Sequence, residues 1–462
     1  VPIAQAGTVV GTERLKDVAT EYVGIDAAGT VAFEGVFDGG RKLVRAAGGT
    51  LQTITGNIGS DATEFAPRLT ATGHIVWTKA GVVQRYDGGV TNLVGPVDVT
   101  PLGAGVTAGA PSINDADTVA FTASRAGIYQ LANDAVSPIV RAGDPIAGTA
   151  GIGSLGRHVF TGSTLAFVAR DVNGRRMIAT AGSGVVAKLV ANGERTPIGG
   201  TFDLRDDLLA AQDPLVFFGA DVNAGSSTSG LFQARVGSGG PAVVAKAGDA
   251  EPGGAHFVSF EALEPLGRQA VFAATLDNGA HGIFRTRRRG LVAVAVTGQG
   301  APGTTGTYAT FGGLVTSGAR ALFAATLAGG GPSSALFLVE RGQVRMLAHQ
   351  GPQARAGGRG EALSVFEFGA IALSGRNAVT ASSLAADGST QGLLVSRRGT
   401  LRPLIRQGDP SPLGGKIGAL IGDDPVSVAG RTAVFVASLT DGAPVVQALF
   451  AETAAAPAVR RR

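Results

Sequence analysis

The chain predicts an all-β protein, a closed β-propeller of about nine four-stranded blades with a range of eight to ten. Three observations carry this. A strand-like core recurs nine times, turn residues punctuate every apolar run, and the two chain ends hold complementary parts of one repeat.

The core comes first. It reads Thr30-Val-Ala-Phe33, His74-Ile-Val-Trp77, Thr118-Val-Ala-Phe121, Thr164-Leu-Ala-Phe167 and Pro214-Leu-Val-Phe217. It continues as Gln269-Ala-Val-Phe272, Arg320-Ala-Leu-Phe323, Asn377-Ala-Val-Thr380 and Thr432-Ala-Val-Phe435, about 50 residues apart on average. A second element places Gly or Ala before two apolar residues, as in Gly127-Ile-Tyr129, Gly230-Leu-Phe232, Gly282-Ile-Phe284 and Ala335-Leu-Phe337. A third is apolar and ends in Gly, as in Ile139-Val-Arg-Ala-Gly143 and Val244-Ala-Lys-Ala-Gly248. A Pro/Gly loop follows, then a fourth segment of alternating character, such as Phe257-Val-Ser-Phe-Glu261. Short β-branched or aromatic runs bounded by Gly, Pro, Asn and Asp are strands. Asp171-Val-Asn-Gly174 and Asp277-Asn-Gly279 suit tight hairpins, because Asn and Gly tolerate positive φ. Ile3-Ala-Gln-Ala-Gly7 has the form of the third element, which the last repeat lacks. The N-terminal strand is therefore expected to complete the last blade and remove an exposed edge. Residues 1–452 then form one propeller domain, and 453–462 a short Ala/Arg tail.

Composition narrows the function classes. Gly numbers 72 and Pro 21, yet 44% of residues are apolar and 16% charged, a balance that excludes a disordered chain. Cysteine is absent, which rules out disulfides, thiolate nucleophiles and Cys-ligated zinc. Lys+Arg is 39 against 35 Asp+Glu, a net +4, too little for a general nucleic-acid field. No apolar run reaches the roughly 18–20 residues of a membrane helix. Val1-Pro2-Ile3 opens without Met, so the chain reads as mature or trimmed.

The unit Ile113-Asn-Asp-Ala-Asp-Thr-Val-Ala-Phe121, with Gly127-Ile-Tyr129 and Arg141-Ala-Gly-Asp-Pro145, resembles the bacterial tandem-repeat proteins named for an Asn-x-x-Gly-x-x-Ala-Phe motif. Asp26-Ala-Ala-Gly29-Thr-Val-Ala32-Phe33 is a second match, and Asp117 stands where the motif has Gly. The resemblance implies export and a β-rich fold. It implies no reaction.

Catalytic signatures are missing. The five histidines, His74, His158, His256, His281 and His349, fall in different repeats without metal spacing. No cofactor or metal is expected. Three repeated features remain. Asp144, Asp249 and Asp409 follow the third strand, where Asp caps a Gly-containing turn or a ring of weak cation sites forms. Arg287, Arg288, Arg289, Arg341, Arg397 and Arg398 occupy one hairpin in three successive repeats. They would form a basic arc along one rim, protecting an edge or binding an anion. Asp203, Arg205, Ser259, Glu261, Thr310 and Glu367 alternate on the fourth segment and are expected to line a channel.

The sequence thus predicts a non-enzymatic, exported binding or scaffold module at the cell surface or outside the cell. Its partners would be other surface proteins or an anionic polymer, with self-assembly included, but no specific nucleic acid. The alternative is a hydrolase or lyase acting on an extracellular polymer, with carboxylates at the channel mouth.

Overall fold

The computed structural model describes residues 2–55, 68–94, 112–352, 362–420 and 426–453, apart from residues 384–390 and single positions or short turns inside these spans. Every regular element among the described residues is a strand. Antiparallel pairing gathers them into eight four-stranded sheets and one five-stranded sheet, plus two two-stranded ladders. In chain order the sheets span 17–53, 68–94, 112–141, 152–191, 201–246, 257–296, 307–349, 365–406, and 416–453 joined by 2–5. We number them one to nine.

The expectation of a closed ring of nine four-stranded blades is corrected. The arrangement is a six-bladed, all-β, propeller-like one, and closure is not shown. Six sheets are complete blades, each a run of four consecutive strands of at least four residues: sheets one, four, five, six, seven and eight. Among the described residues, sheets two and three begin with strands of two residues, Arg68–Leu69 and Ser112–Ile113. Sheet nine has its first strand divided into Lys416–Leu420 and Val426–Ala429. The physical reason is that the recurring apolar core marks only the second strand of a sheet. A complete blade also needs a long polar first strand, which the core does not report. Residues 95–111, between sheets two and three, lie outside the described residues.

Within a complete blade the first strand is the former fourth segment, and it packs beside the first strand of the next sheet. Ile152–Thr161 lies beside Thr201–Gln212, then Phe257–Leu266, then Thr307–Ser317, then Val365–Ser374. These first strands carry a register slip against the core strand, at Leu155/His158, Leu204/Leu209, Phe260/Ala262 and Gly312/Leu314. A bulge turns extra side chains out of the alternation. The residues so displaced include Arg157, Arg205, Asp207 and Glu261.

An aromatic layer joins the sheets. Phe202, Phe218 and Phe232 of sheet five meet with the first and third rings edge-on at 4.8 Å and the second and third stacked at 5.7 Å. Phe257, Phe272 and Phe284 repeat this in sheet six at 4.9 and 5.7 Å, and Tyr308, Phe323 and Phe337 in sheet seven at 5.1 and 5.3 Å. Each triad faces the preceding sheet, where smaller groups receive it, such as Ala166, Val168 and Ile178 below the sheet-five rings. The sequence alignment of the core is shifted by one residue here. Phe218, not Phe217, pairs with the third-strand Phe as Phe272 and Phe323 do, and Phe217 points instead into the sheet-six interface. The glycine of the second element also has a cause. A Cβ on Gly282 would strike the Phe284 ring, which folds back over it on the same face.

Tyr308 is the odd member of the aromatic column. Its hydroxyl is buried without a hydrogen-bond partner among the described residues, and burial pushes its pKa up. Phe202 and Phe257 fill the same place without that cost. Tyr308→Phe is expected to raise stability by about 1 kcal/mol. Chemical denaturation measures it, and a loss of stability would show that the hydroxyl is satisfied in solution.

The fourth strand of a sheet is followed by a glycine with positive φ: Gly143 at 87°, Gly193 at 79°, Gly248 at 86°, Gly298 at 86° and Gly408 at 88°. That turn sends the chain to the next sheet's first strand and is pinned there. Gly248 N–H donates to Phe257 O at 2.8 Å, and Phe257 N–H returns to Asp249 O at 3.0 Å. Gly7 has φ 88° and donates in the same way to Leu15 O at 2.6 Å. Pro2–Gln5 pairs with Val446–Thr453 as the outer strand of sheet nine, through Ala4 opposite Leu449 and Gln5 opposite Ala448. The ends of the chain thus meet in one sheet.

Candidate functional site

Strand direction gives the sheets two distinct ends. One carries the hairpins between first and second and between third and fourth strands. The other carries the remaining hairpin and the loop to the next sheet.

The predicted arginines lie at the first end. Arg287 and Arg288 are exposed in the hairpin between His281–Thr286 and Leu291–Val296 of sheet six. Arg341 is exposed in the equivalent hairpin of sheet seven, between Ser334–Glu340 and Gln343–His349. Among the described residues none of the three has a carboxylate partner. Arg397 ends strand Gln391–Arg397 of sheet eight opposite Thr400, in the same hairpin. Arg289 and Arg398 lie outside the described residues. Arg341 and Gly342 form a two-residue turn with φ of 49° and 82°, the primed hairpin geometry that favours Asn-Gly. An Arg there is held in a left-handed conformation that disfavours it.

Beside this rim is a cleft of about 440 Å³ between sheets six and seven. Arg268, Arg285, Arg320, Glu340 and Arg341 line it. Arg320 Nε and Nη2 donate to Glu340 Oε1 at 2.9 and 2.6 Å, so this pair neutralises itself. Arg268, Arg285 and Arg341 make no ion pair among the described residues. Burial lowers the Arg285 pKa, and the charge of Arg287 lowers it further. The walls are fixed: Gly267 N–H donates to Gly318 O at 2.7 Å across the two inner hairpins. A Cβ on Gly342 would collide with the Arg285 guanidinium.

Sequence reasoning missed Arg268, Arg285, Arg320 and Glu340. A signal existed. The inner hairpins of sheets six to nine read Gly267-Arg268, Gly318-Ala-Arg320, Gly375-Arg376 and Gly430-Arg431, a second arginine column. Arg376 and Arg431 lie outside the described residues.

The expected channel residues divide into two groups. Asp203 and Arg205 are half-buried on the first strand of sheet five and already bonded. Asn192 Nδ2 donates to Asp203 Oδ1 at 2.9 Å. Arg205 holds Asp207 through Nε and Nη2 at 3.0 and 2.6 Å and reaches Phe260 O at 3.2 Å. That fork keeps the Asp207 carboxyl below its ordinary pKa. Arg157 donates to Asp207 O at 2.7 Å, and Arg176 Nε lies 2.9 Å from Asp206 Oδ1. These pairs lock sheets four, five and six together.

The second group is more open. Glu261 is exposed, accepts from the Thr275 hydroxyl and lies 3.5 Å from His281 Nδ1. Thr310 is exposed and shares a 2.6 Å hydrogen bond with Thr326. Ser259 is half-buried in the same strand as Glu261, and Glu367 sits in strand Val365–Ser374. His256 Nδ1 lies 2.9 Å from Asp277 Oδ2. His158 is structural: its ring bonds Thr122 and Ala120, and burial lowers its pKa.

The turn aspartates cap. Asp144, Asp249 and Asp409 accept the backbone N–H three residues earlier, from Arg141, Lys246 and Arg406 at 2.6, 3.2 and 2.8 Å. No group of three metal-ligating side chains occurs among the described residues. No helix among them is long and apolar enough to cross a membrane.

A family model described as "Family of unknown function (DUF7453)" matches residues 269–414. No curated protein matches the chain. Among solved structures, a puromycin-hydrolysing peptidase of Mycobacterium tuberculosis is similar at 13% identity and TM-score 0.37, covering 79% of this chain and 58% of that one. The tricorn protease is similar at 12% identity and TM-score 0.35, covering 92% of this chain and 43% of that one. The chain thus spans about half the length of these two proteases. The WD40 domain of SCAP from fission yeast is similar at 10% identity and TM-score 0.38, covering 98% of this chain and 93% of that one. None of these likenesses carries its neighbour's activity to this chain.

Proposed function

We propose that this protein is an exported, non-enzymatic binding or scaffold module of a bacterial cell surface. In this reading it is one folded unit over residues 1–452, with 453–462 as a tail, of the kind implied by the Asn-x-x-Gly repeat. It recognises an anionic polymer along the arginine rim. One observation carries this: Arg287, Arg288 and Arg341 are exposed on equivalent hairpins of adjacent sheets, without carboxylate partners among the described residues. A structural role in edge protection would be served by Lys or by charge pairs. Arg instead offers a planar fork that makes two charge-assisted bonds to a carboxylate or sulfate.

The test is retention on polygalacturonate resin. Replacing Arg287, Arg288, Arg341 and Arg397 with Ser is expected to reduce retention at low salt and to leave folding intact, since exposed hairpin changes shift stability by under about 0.5 kcal/mol. Wild-type retention should also fall with salt, because exposed charges are screened over about 8–10 Å at physiological ionic strength. Equal retention of the two proteins overturns the rim as a binding surface.

The grouping of Glu261, Thr275 and His281 favours a second reading, an enzyme acting on an extracellular polymer. Loss of polymer chain length on incubation, abolished by Glu261→Gln, would establish it.

A further inference from the structure

We infer that the cleft between sheets six and seven seats one acidic sugar residue, recognised through its carboxylate. This deepens the reading of the rim as a polymer-binding surface and rests on it. The cleft holds four guanidiniums and one carboxylate, Glu340, which is taken up by Arg320. Arg268, Arg285 and Arg341 are left without a counter-charge among the described residues. Arg285 is half-buried, and the depression of its pKa by burial and by Arg287 marks a place where an anion would be stabilising.

Three further observations point to an organic acid and not to a bare inorganic ion. The cleft's volume of about 440 Å³ lies in the range of small-molecule sites, roughly 300–1,000 Å³. Leu266, Ala319 and Val339 give it an apolar lining that can hold a carbon skeleton. Its walls are tied by the Gly267–Gly318 hydrogen bond, so the guanidiniums sit on a fixed frame. Arg341 also occupies a backbone conformation that Asn or Gly would fill more easily, and such outliers gather where a side chain has a task. The rim hairpin that carries Arg341 is itself the cleft wall. A polymer lying along the rim would therefore place one residue in the cleft.

The probe is D-galacturonate, measured by calorimetry or ligand-observed NMR, with D-galactose and inorganic phosphate as separate arms. Galacturonate is expected to bind wild type, and galactose and phosphate are expected to bind at least tenfold more weakly. The cleft variant Arg268→Gln/Arg341→Gln should weaken galacturonate about tenfold or more, the scale of one lost charge-assisted hydrogen bond. The control variant Arg195→Ser should change it less than about twofold, because Arg195 is exposed in the turn after sheet four and does not line the cleft. Circular dichroism confirms that both variants are folded. Absence of galacturonate binding, equal binding by the cleft variant, or equal binding of phosphate or galactose overturns the proposal. If galacturonate fails while polymer retention still depends on the rim, the cleft assignment falls and the rim reading stands. If retention is independent of the rim, the rim reading falls by itself.

Discussion

Deleting residues 1–7 is expected to lower stability by about 3–5 kcal/mol and to make the protein aggregate. The estimate combines lost strand hydrogen bonds, each worth about 1 kcal/mol net, with re-exposed apolar surface. Pro2–Gln5 covers the outer edge of Val446–Thr453, opposite Phe450, Leu449 and Ala448. Ala4 is buried and Ile3 packs against the cluster that joins sheet nine to sheet one, through Phe33, Val434 and Val436. The deletion also removes the Gly7 turn that ties the strand to Leu15. Without it, Val446–Thr453 becomes an open apolar edge, a template for pairing with another chain. Thermal melting and light scattering read the two effects. An unchanged melting temperature would show that the terminal strand contributes nothing to the sheet.

This expectation was readable in the sequence because it needs only pattern. Ile3 to Gly7 repeats the apolar run and terminal glycine of Ile139 to Gly143, and both glycines adopt the same left-handed turn, at 88° and 87°. The core strands were readable for the same reason, since alternation and a closing aromatic report burial directly. The blade count was not. Asp17–Ile25 and Thr201–Gln212 are long and mixed in polarity, and nothing in their composition separates them from the two-residue Arg68–Leu69. First strands are held by neighbours and by bulges, which are tertiary facts. The one-residue offset at Phe217 has a similar origin. Phe217 and Phe218 are adjacent aromatics, and only pairing with Phe232 decides which belongs to the layer.

The rim arginines were legible because repeat position fixes a direction. The cleft was not, because Arg268 and Arg320 sit on inner hairpins and Arg285 on a third strand, divided between two sheets. They converge only when sheet seven is laid on sheet six. Likewise, the polar first strand suggested a uniform channel lining. The structure instead ties Asp203 and Arg205 into bonds between sheets and leaves Glu261 and Thr310 open. Arginine spacing between Arg157, Arg176 and Arg205 carries no hint of that pairing.

Phe272→Ala is expected to cost about 3–5 kcal/mol, the usual range for a buried aromatic truncated to Ala. Phe272 is fully buried and touches three rings, Phe257, Phe260 and Phe284, at 6.2, 5.9 and 5.7 Å between centroids. Its loss opens a hole in the face by which sheet six meets Leu208, Ala210, Phe217 and Leu231 of sheet five. Those neighbours sit on hydrogen-bonded strands and cannot close inward, so the cavity persists. Gly282 is already fitted to the Phe284 ring, which limits how far that ring can turn to fill the space. Coupling should also appear. Phe284→Ala alone is expected to cost a similar amount, and the double variant less than the sum by about 0.5–1.5 kcal/mol, the usual worth of an aromatic pair beyond its area. Urea denaturation of the four proteins measures the cycle. A loss under about 1 kcal/mol for Phe272→Ala would mean the aromatic layer is not what holds sheet six to sheet five, since it falls below the cavity range for any well-packed Phe.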